Sequence, residues 1–271
     1  MSDNMEVFVI THKKTDIDSD DIYTPLFVGA SNNPNVPGEG YLRDDVGENI
    51  SEKNSSYCEL TGAYWIWKNV NKEVVGLVHY RRFFVKFRAI HFKEKEYTLF
   101  PKRAPKRLDK EDIERILADY SLIVKTSGRY LKTNDQIFKN HNEVGIKNWN
   151  RIEEIINNYY PDYTEALREF SKGHYHINCN MFIGEKAIID EYFAWLFDIL
   201  EKLDTMEYEA SGEYFNKREL GYVGEMLFSI WLNKNKPKYK IVKAINTEQN
   251  NIKSIFVLPI DFIKWLIRKL N

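Results

Sequence analysis

The chain has 271 residues, 43% of them hydrophobic, with Lys+Arg 39 against Asp+Glu 40 and a formal net charge of −1. That length predicts one large domain or two small ones around a sizeable core, and the charge balance excludes a generic nucleic-acid-binding polycation. Cys58 and Cys179 lie far apart with no CxxC pair, which excludes a disulfide scaffold and a structural zinc cluster and fits a reducing compartment. They read as small core hydrophobes. Met1 to Glu6 carries neither a basic nor an apolar leader signal. No stretch approaches the roughly 18 apolar residues of a membrane span. The expectation is a soluble cytoplasmic protein. Its 6 Trp, 17 Tyr and 16 Phe make up 14% of the chain, enough rings to serve a core, nucleobase stacking or sugar stacking.

Glu6 to Thr11 is a short β-rich apolar run with the pattern of a buried strand, ending in Thr11-His12-Lys13-Lys14. Pro25 to Ala30 is a second apolar run and leads into the breaker-rich loop Ser31 to Gly40. A helix is predicted up to about Asn69, with Tyr57, Leu60, Tyr64 and Trp67 as its buried stripe. Val74 to Val78 reads as another buried strand, followed by His79-Tyr80-Arg81-Arg82. A helix at 109–119 and a strand at 121–125 come next. The second half is more helical, with helices predicted at 149–159, 162–171, 186–203 and 217–232. Between them Ile177 to Ile183 mixes polar and apolar residues like a strand skirting a site. This rhythm predicts an α/β sheet with helices on its faces, and such sheets bind ligands beyond the carboxyl ends of their strands. Three of those ends carry polar clusters: Thr11-His12-Lys13, Gly29-Ala30-Ser31 and His79 to Arg82.

The chain has no GxGxxG, GxxxxGK[ST], HExxH or GxSxG, so the usual dinucleotide, P-loop, metalloprotease and hydrolase chemistries lose support. Asp16-x-Asp18 and Asp18-x-Asp20 lie in a polar loop and make poor metal-diphosphate sites. Arg81 and Arg82 after a strand can clamp a diphosphate bidentately, with fixed cations in the role of a metal; the bland alternative is a solvated charged pair. Residues 81–110 hold 11 Lys/Arg against Glu94, Glu96 and Asp109. They form either a phosphate-attracting rim or a solvated basic loop. His174 and His176 lack carboxylate partners nearby, so a metal site there is disfavoured. Glu225 is a lone carboxylate on a mostly apolar helical segment, either paired with Arg218 or functional. From Lys234 onward there are nine Lys/Arg and only Glu248 and Asp261. Ile260, Ile263, Trp265, Leu266, Ile267 and Leu270 with Lys264, Arg268 and Lys269 have the spacing of a basic amphipathic helix. Such a helix either lies in a membrane interface or docks on its own domain.

Thr11-His12-Lys13, Val28-Gly29-Ala30, Asp45-x-Gly47-Glu48-Asn49-Ile50-Ser51, Lys53-Asn54, Tyr57 to Gly62 with Tyr64-Trp65-x-Trp67-Lys68-Asn69, and Gly76-Leu77-x-His79-Tyr80-Arg81-Arg82-Phe83 follow one another in order. Together they resemble the uncharacterised-domain family of bacterial capsular and exopolysaccharide glycosyltransferases. His141, Asn180 to Ile183, Tyr192-x-x-Trp195-Leu196-Phe197 and Arg218-x-x-Gly221-Tyr222-x-x-Glu225 continue the resemblance, which spans about residues 6–233. Two positions depart from the pattern: Glu48 stands for an expected Asp, and Met226 for an expected Arg.

The resemblance implies a GT-A-like, Rossmann-type mixed sheet flanked by helices, as a single domain over residues 1–240, with 241–271 as a basic amphipathic tail. It implies transfer of a sugar from a nucleotide-sugar donor, a UDP-sugar in the first instance, to a lipid-linked oligosaccharide at the inner face of the membrane. Galactofuranose transfer is one activity associated with the family, and nothing here selects that sugar. In this reading Thr11, His12, Lys13, Gly29 and Asp45 surround the nucleoside, and Glu59 supports the donor pocket. His79, Tyr80, Arg81 and Arg82 hold the diphosphate without a metal, although Mn or Mg stays open. Asn178, Asn180 and Arg218 lie toward the acceptor. Glu225 is the expected base, Arg81 and Arg82 stabilise the leaving group, and the expected outcome is inversion. Two other classes compete: a non-catalytic carbohydrate- or nucleotide-binding module, and a single-stranded nucleic-acid binder.

Overall fold

The computed structural model describes residues 4–15, 22–35, 40–86, 90–92, 95–97, 106–125, 129–142 and 144–247. Asp16, Asp18 and Asp20 and the predicted C-terminal helix at 260–270 lie outside them. Strand β1 (Met5–Thr11) organises the rest. Met5, Val7 and Val9 join the core on one side of the sheet, and Phe8 and Ile10 join the core on the other. Side chains alternate across a pleated strand, so a strand apolar at nearly every position has to be covered on both faces.

The first half contributes β2 (Tyr23–Phe27), β3 (Leu42–Arg43), α1 (Asn54–Tyr57), α2 (Leu60–Asn69), β4 (Val74–His79) and β5 (Arg82–Phe84). A separate hairpin, β6 (Ile90–Phe92) with β7 (Lys95–Tyr97), precedes α3 (Lys110–Leu117) and β8 (Leu122–Lys125). The second half supplies α4 (Asn134–Lys139), α5 (Gly145–Tyr159), α6 (Thr164–Lys172), β9 (Phe182–Glu185), α7 (Lys186–Ser211), α8 (Glu219–Asn235), β10 (Tyr239–Val242) and β11 (Ala244–Asn246). The main sheet runs β10-β8-β9-β4-β1-β2-β3, with β5 hanging from β4 and β11 pairing β5. β1 is parallel to both β2 and β4, whereas β9 runs antiparallel between β4 and β8. The sheet is therefore mixed, as expected.

The larger core lies between the sheet and helices α2 and α5 to α8, the smaller one under α3. Many of the rings go into the larger core. Phe138, Trp149 and Phe170 pack together, and Tyr192, Phe228 and Trp231 form a second group. Each such ring, fully buried, contributes roughly 1.5–3 kcal/mol.

Three expectations need correction. The helix predicted up to Asn69 is broken at Cys58, whose φ of 51° and ψ of −126° no helix accommodates. The stripe that α2 buries is Leu60, Ala63 and Ile66, while Tyr64 and Trp67 sit at its edge against Phe197. Strand β10 spans residue 240, and the chain stays in the main sheet through Asn246. Ile177 to Met181 is not strand; β9 begins only at Phe182.

Candidate functional site

β1, β2 and β4 are parallel, so their carboxyl ends share one edge of the sheet. β9 is antiparallel to β4 and starts at that same edge, since Leu77 pairs with Phe182. The break between α1 and α2 and the first turns of α8 lie over this edge. They enclose a cleft of about 510 Å³. Of the residues singled out from the sequence, Thr11, His12, Glu59, His79, Tyr80, Arg81, Arg82, Arg218 and Glu225 all line it. Ile10, Val28, Asn54, Ser55, Cys58, Cys179 and Tyr222 complete its wall.

Arg82 opens β5, its backbone paired with His79 and Asn246, and the Arg81 carbonyl accepts from Thr247 N at 2.8 Å. The turn carrying both arginines is thus fixed from two sides. The Arg81 guanidinium lies 5.5 Å from the Tyr80 ring centroid, and His12 meets the same ring edge-on at 5.6 Å. Lys13 reaches that ring too, at 4.8 Å, although it does not line the cleft. Three guanidiniums, Arg81, Arg82 and Arg218, therefore face one cavity together with two carboxylates, Glu59 and Glu225.

Burial pushes the Glu225 carboxyl up to about 7, reinforced by the Glu59 charge; the Cys179 backbone amide, Lys125 and Arg82 pull the other way. Burial and the two neighbouring guanidiniums hold His79 down at about 4, so its ring is neutral at pH 7. Its Nε2 is buried without a hydrogen-bond partner. Burial also raises both thiols, Cys58 and Cys179, to about 11, well away from thiolate chemistry. A carboxyl poised near 7 beside a cationic cluster suits proton removal from a neutral hydroxyl.

The wall is held by strained backbone. Cys58, Cys179 and Asn180 have φ of 51°, 75° and 42°. L-residues reach this left-handed region only at some cost. Asn180, buried, donates from Nδ2 to Glu59 Oε1 at 2.9 Å and to Gly221 O at 3.0 Å. It thereby ties a cleft carboxylate to α8 rather than lining the cavity itself. Asn178, also outside the lining, accepts from Lys125 Nζ at 2.9 Å. The cysteines are thus part of the cleft wall, where the sequence suggested plain core packing.

Gly29 and Asp45 do not line the cleft either. Asp45 holds Arg43 with both oxygens, at 3.0 and 2.7 Å. Its neighbour Asp44, not singled out from the sequence, is fully buried. It accepts from Gly29 N (3.0 Å), Ala30 N (3.1 Å), Ser51 Oγ (2.5 Å) and Thr61 Oγ1 (2.7 Å). Thr61 in turn accepts from Asn54, which also donates to the Cys58 carbonyl. Asp44 therefore braces the Gly29–Ala30 turn and the α1–α2 break together. Gly29 serves the same brace: its φ is 70°, and a Cβ there would meet Asn54 Oδ1 at 2.7 Å.

His176 is a core histidine stacked on Tyr130 at 4.6 Å, with Nδ1 against Asn134 Oδ1. Among the described residues, no three His, Cys, Asp or Glu side chains converge as a metal-holding group. No helix among them is long and apolar enough to cross a membrane.

No curated protein matches the chain. Among solved structures, the apo structure of the bifunctional glycosyltransferase WbbM matches with a TM-score of 0.75 and 25% identity. The match covers 91% of this chain and 46% of that one, so the chain spans about half the length of its structural relative. The fold is GT-A-like, as the resemblance implied. The family model described as a domain of unknown function, DUF4422, matches residues 6–236, and the chain belongs to that family.

Proposed function

We propose that this chain is a glycosyltransferase that moves a sugar from a nucleotide-sugar donor to a hydroxyl of a glycan acceptor. The observation that carries the reading is the cleft itself: Arg81, Arg82 and Arg218 with Glu59 and Glu225 at the carboxyl ends of parallel strands. The fold likeness to a glycosyltransferase supports it.

In the proposed reaction the acceptor O–H gives its proton to the Glu225 carboxylate. The acceptor oxygen bonds to the anomeric carbon as the bond from that carbon to the diphosphate oxygen breaks. The nucleoside diphosphate leaves with the electron pair, and Arg81 and Arg82 stabilise its added negative charge. A single displacement of this kind inverts the anomeric centre. Thr11, His12 and Tyr80 line the same end of the cleft and suit the nucleoside. Glu59, held by Asn180, suits a sugar hydroxyl. Neutral His79 beside Arg82 adds no positive charge of its own.

The donor proposed is a UDP-sugar, with UDP-galactofuranose the first to test. The acceptor proposed is a lipid-linked oligosaccharide of capsular or exopolysaccharide synthesis. The basic, Trp-containing sequence at 260–270 would bring the enzyme to an anionic cytoplasmic membrane face. The proposed neutralisation of the diphosphate rests on Arg81 and Arg82, which line the cleft.

A donor screen tests the reading. UDP-, GDP- and CMP-sugars are compared by thermal shift and by turnover, each with Mn²⁺ and with EDTA. The expected result is a UDP-selective shift that survives EDTA and is lost in Arg81→Ala/Arg82→Ala, with turnover abolished in Glu225→Gln while donor binding persists. Donor binding without turnover in the wild type, across acceptors, would instead identify a non-catalytic binding module. A shift abolished by EDTA would overturn the arginine-only account of the diphosphate.

A further inference from the structure

A second cavity, of about 380 Å³, lies on the other side of the short helix α1. Lys53 and Tyr57 of its wall are one helical turn apart, whereas Asn54, Ser55 and Cys58 point to the catalytic cleft. One turn of helix is all that separates the two. The cavity falls within the range of about 300–1,000 Å³ typical of small-molecule sites.

Its wall is an aromatic group with polar arms. Trp67 stacks on Phe197 at 5.7 Å with an interplanar angle of 8°, and Tyr64 meets both rings edge-on. The Lys68 ammonium covers a face of Trp67, 3.8 Å from the ring centroid, and pairs with Glu48 at 3.3 Å, so it is fixed in place. From α7, Asp198 and Glu201 reach the same cavity, and from the α1 side comes Lys53. Lys53 is held by Asp204 at 3.0 Å, and Asp198 by Lys202, so two of these arms are fixed in place.

This composition selects among ligands. Two lysines and two carboxylates line the same cavity, so a charged ligand of either sign meets like charges as well as opposite ones. A hydroxyl both donates and accepts, and therefore suits carboxylate and ammonium arms at once. Polarised C–H bonds on a sugar face suit the negative face of an aromatic ring. We infer that this cavity is a second saccharide site, which binds a neutral sugar unit of the glycan acceptor beyond the one presented to the catalytic cleft. Such a site retains a growing chain between transfers. The inference rests on the proposed transferase reading for its biological use, but not for the binding itself.

The test uses the whole chain with lactose, maltotriose and cellotriose as probes, read by saturation-transfer NMR and by Trp fluorescence titration. At least one probe is expected to bind. Glu201→Gln, a change on an exposed side chain, is expected to weaken it about tenfold, equivalent to about 1.4 kcal/mol, and Trp67→Ala to abolish it. Arg81→Ala/Arg82→Ala is expected to leave saccharide binding intact, and Glu201→Gln to leave the UDP-sugar thermal shift intact. If no probe binds, or if Glu201→Gln and Trp67→Ala leave binding unchanged, the inference is overturned while the donor result stands. If saccharides bind here but no nucleotide sugar binds the cleft, the transferase reading fails and the second site survives. Circular dichroism of Trp67→Ala separates loss of the site from loss of the fold; if it misfolds, Glu201→Gln decides alone.

Discussion

Asp44 and Asp45 are adjacent in sequence and opposite in consequence, which makes their substitution to Asn a sharp test of the structure. Asp44 is buried, and its two oxygens take four donors. In Asp44→Asn one oxygen becomes an NH₂ group that cannot accept. The Ser51 and Thr61 hydroxyls can rotate to receive it, but the amides of Gly29 and Ala30 cannot, so at least one backbone N–H is left buried and unpaired. An orphaned donor costs about 1–3 kcal/mol, and losing charge assistance on the remaining bonds adds to it. Relief from burying a charge offsets part of this, leaving a net loss of about 2 kcal/mol. For a chain of this size that lowers Tm by about 4–8 °C. Asp45 instead holds Arg43 in a partly exposed pair, with side-chain exposures of 21% and 27%, worth about 0–1 kcal/mol. Urea denaturation at pH 8 and calorimetry on both variants decide. If Asp44→Asn matches the wild type, or Asp45→Asn is the more damaged, the brace is not what holds this turn. The effect of Asp44→Asn should also shrink in a Ser51→Ala/Thr61→Val background, because partners in one network are not additive.

Titration of the buried groups in the cleft and the core is expected to show two opposed trends. Folded Glu225 keeps its proton up to about 7 against an ordinary 4.5. Between these values the native state holds more protons than the unfolded one, so this group lowers stability as pH rises through the window, by up to about 3 kcal/mol. Glu225→Gln should therefore be more stable than the wild type at pH 8 and equal to it at pH 4.5. His79 and His176 sit at about 4 against an ordinary 6.5. Their contribution is present above 6.5 and is lost as pH falls toward 4, so His79→Gln should flatten the acid limb; an unchanged limb would refute its burial as neutral imidazole. Gly29→Ala combines a left-handed φ with the Asn54 contact, whereas Gly212 has φ of 77° and open space around it. Gly29→Ala should cost at least about 2 kcal/mol and Gly212→Ala about 1 kcal/mol, and equal losses by urea titration would show that the Asn54 contact is relieved freely.

How much of this was legible depends on whether the determining contacts are local. β1 and β4 could be read because both faces are buried, which writes a continuous apolar run into the sequence. The arginine turn could be read because it follows such a run directly. β10 and β11 could not: Tyr239–Val242 is an edge strand with no fully buried side chain, defined by its pairing with β8 more than a hundred residues earlier. Helix α4 left only its capping box, Thr133 to Gln136, in a segment too short for a periodic signal. In the site, the choice between Asp44 and Asp45 turned on hydroxyls 7 and 17 residues away, which no local pattern reports.

The least legible feature argues most independently for function. Four non-glycine residues among those described have positive φ, and three of them, Cys58, Cys179 and Asn180, sit in or directly behind the cleft wall. Each such conformation costs about 1–3 kcal/mol, and glycine at these positions would relieve it. The strain persists because each residue delivers something a relaxed strand or helix would not. Cys58 breaks a helix so that Glu59, immediately before α2, stands at the cavity. Cys179 turns its amide toward Glu225. Asn180 reaches Glu59 and Gly221 at once. Replacing Cys179 with Gly should therefore leave the fold at least as stable while loosening the hold on Glu225, seen as a change in the midpoint of its titration. A midpoint that stays put in a stabilised variant would mean that the strained turn is incidental to the cleft.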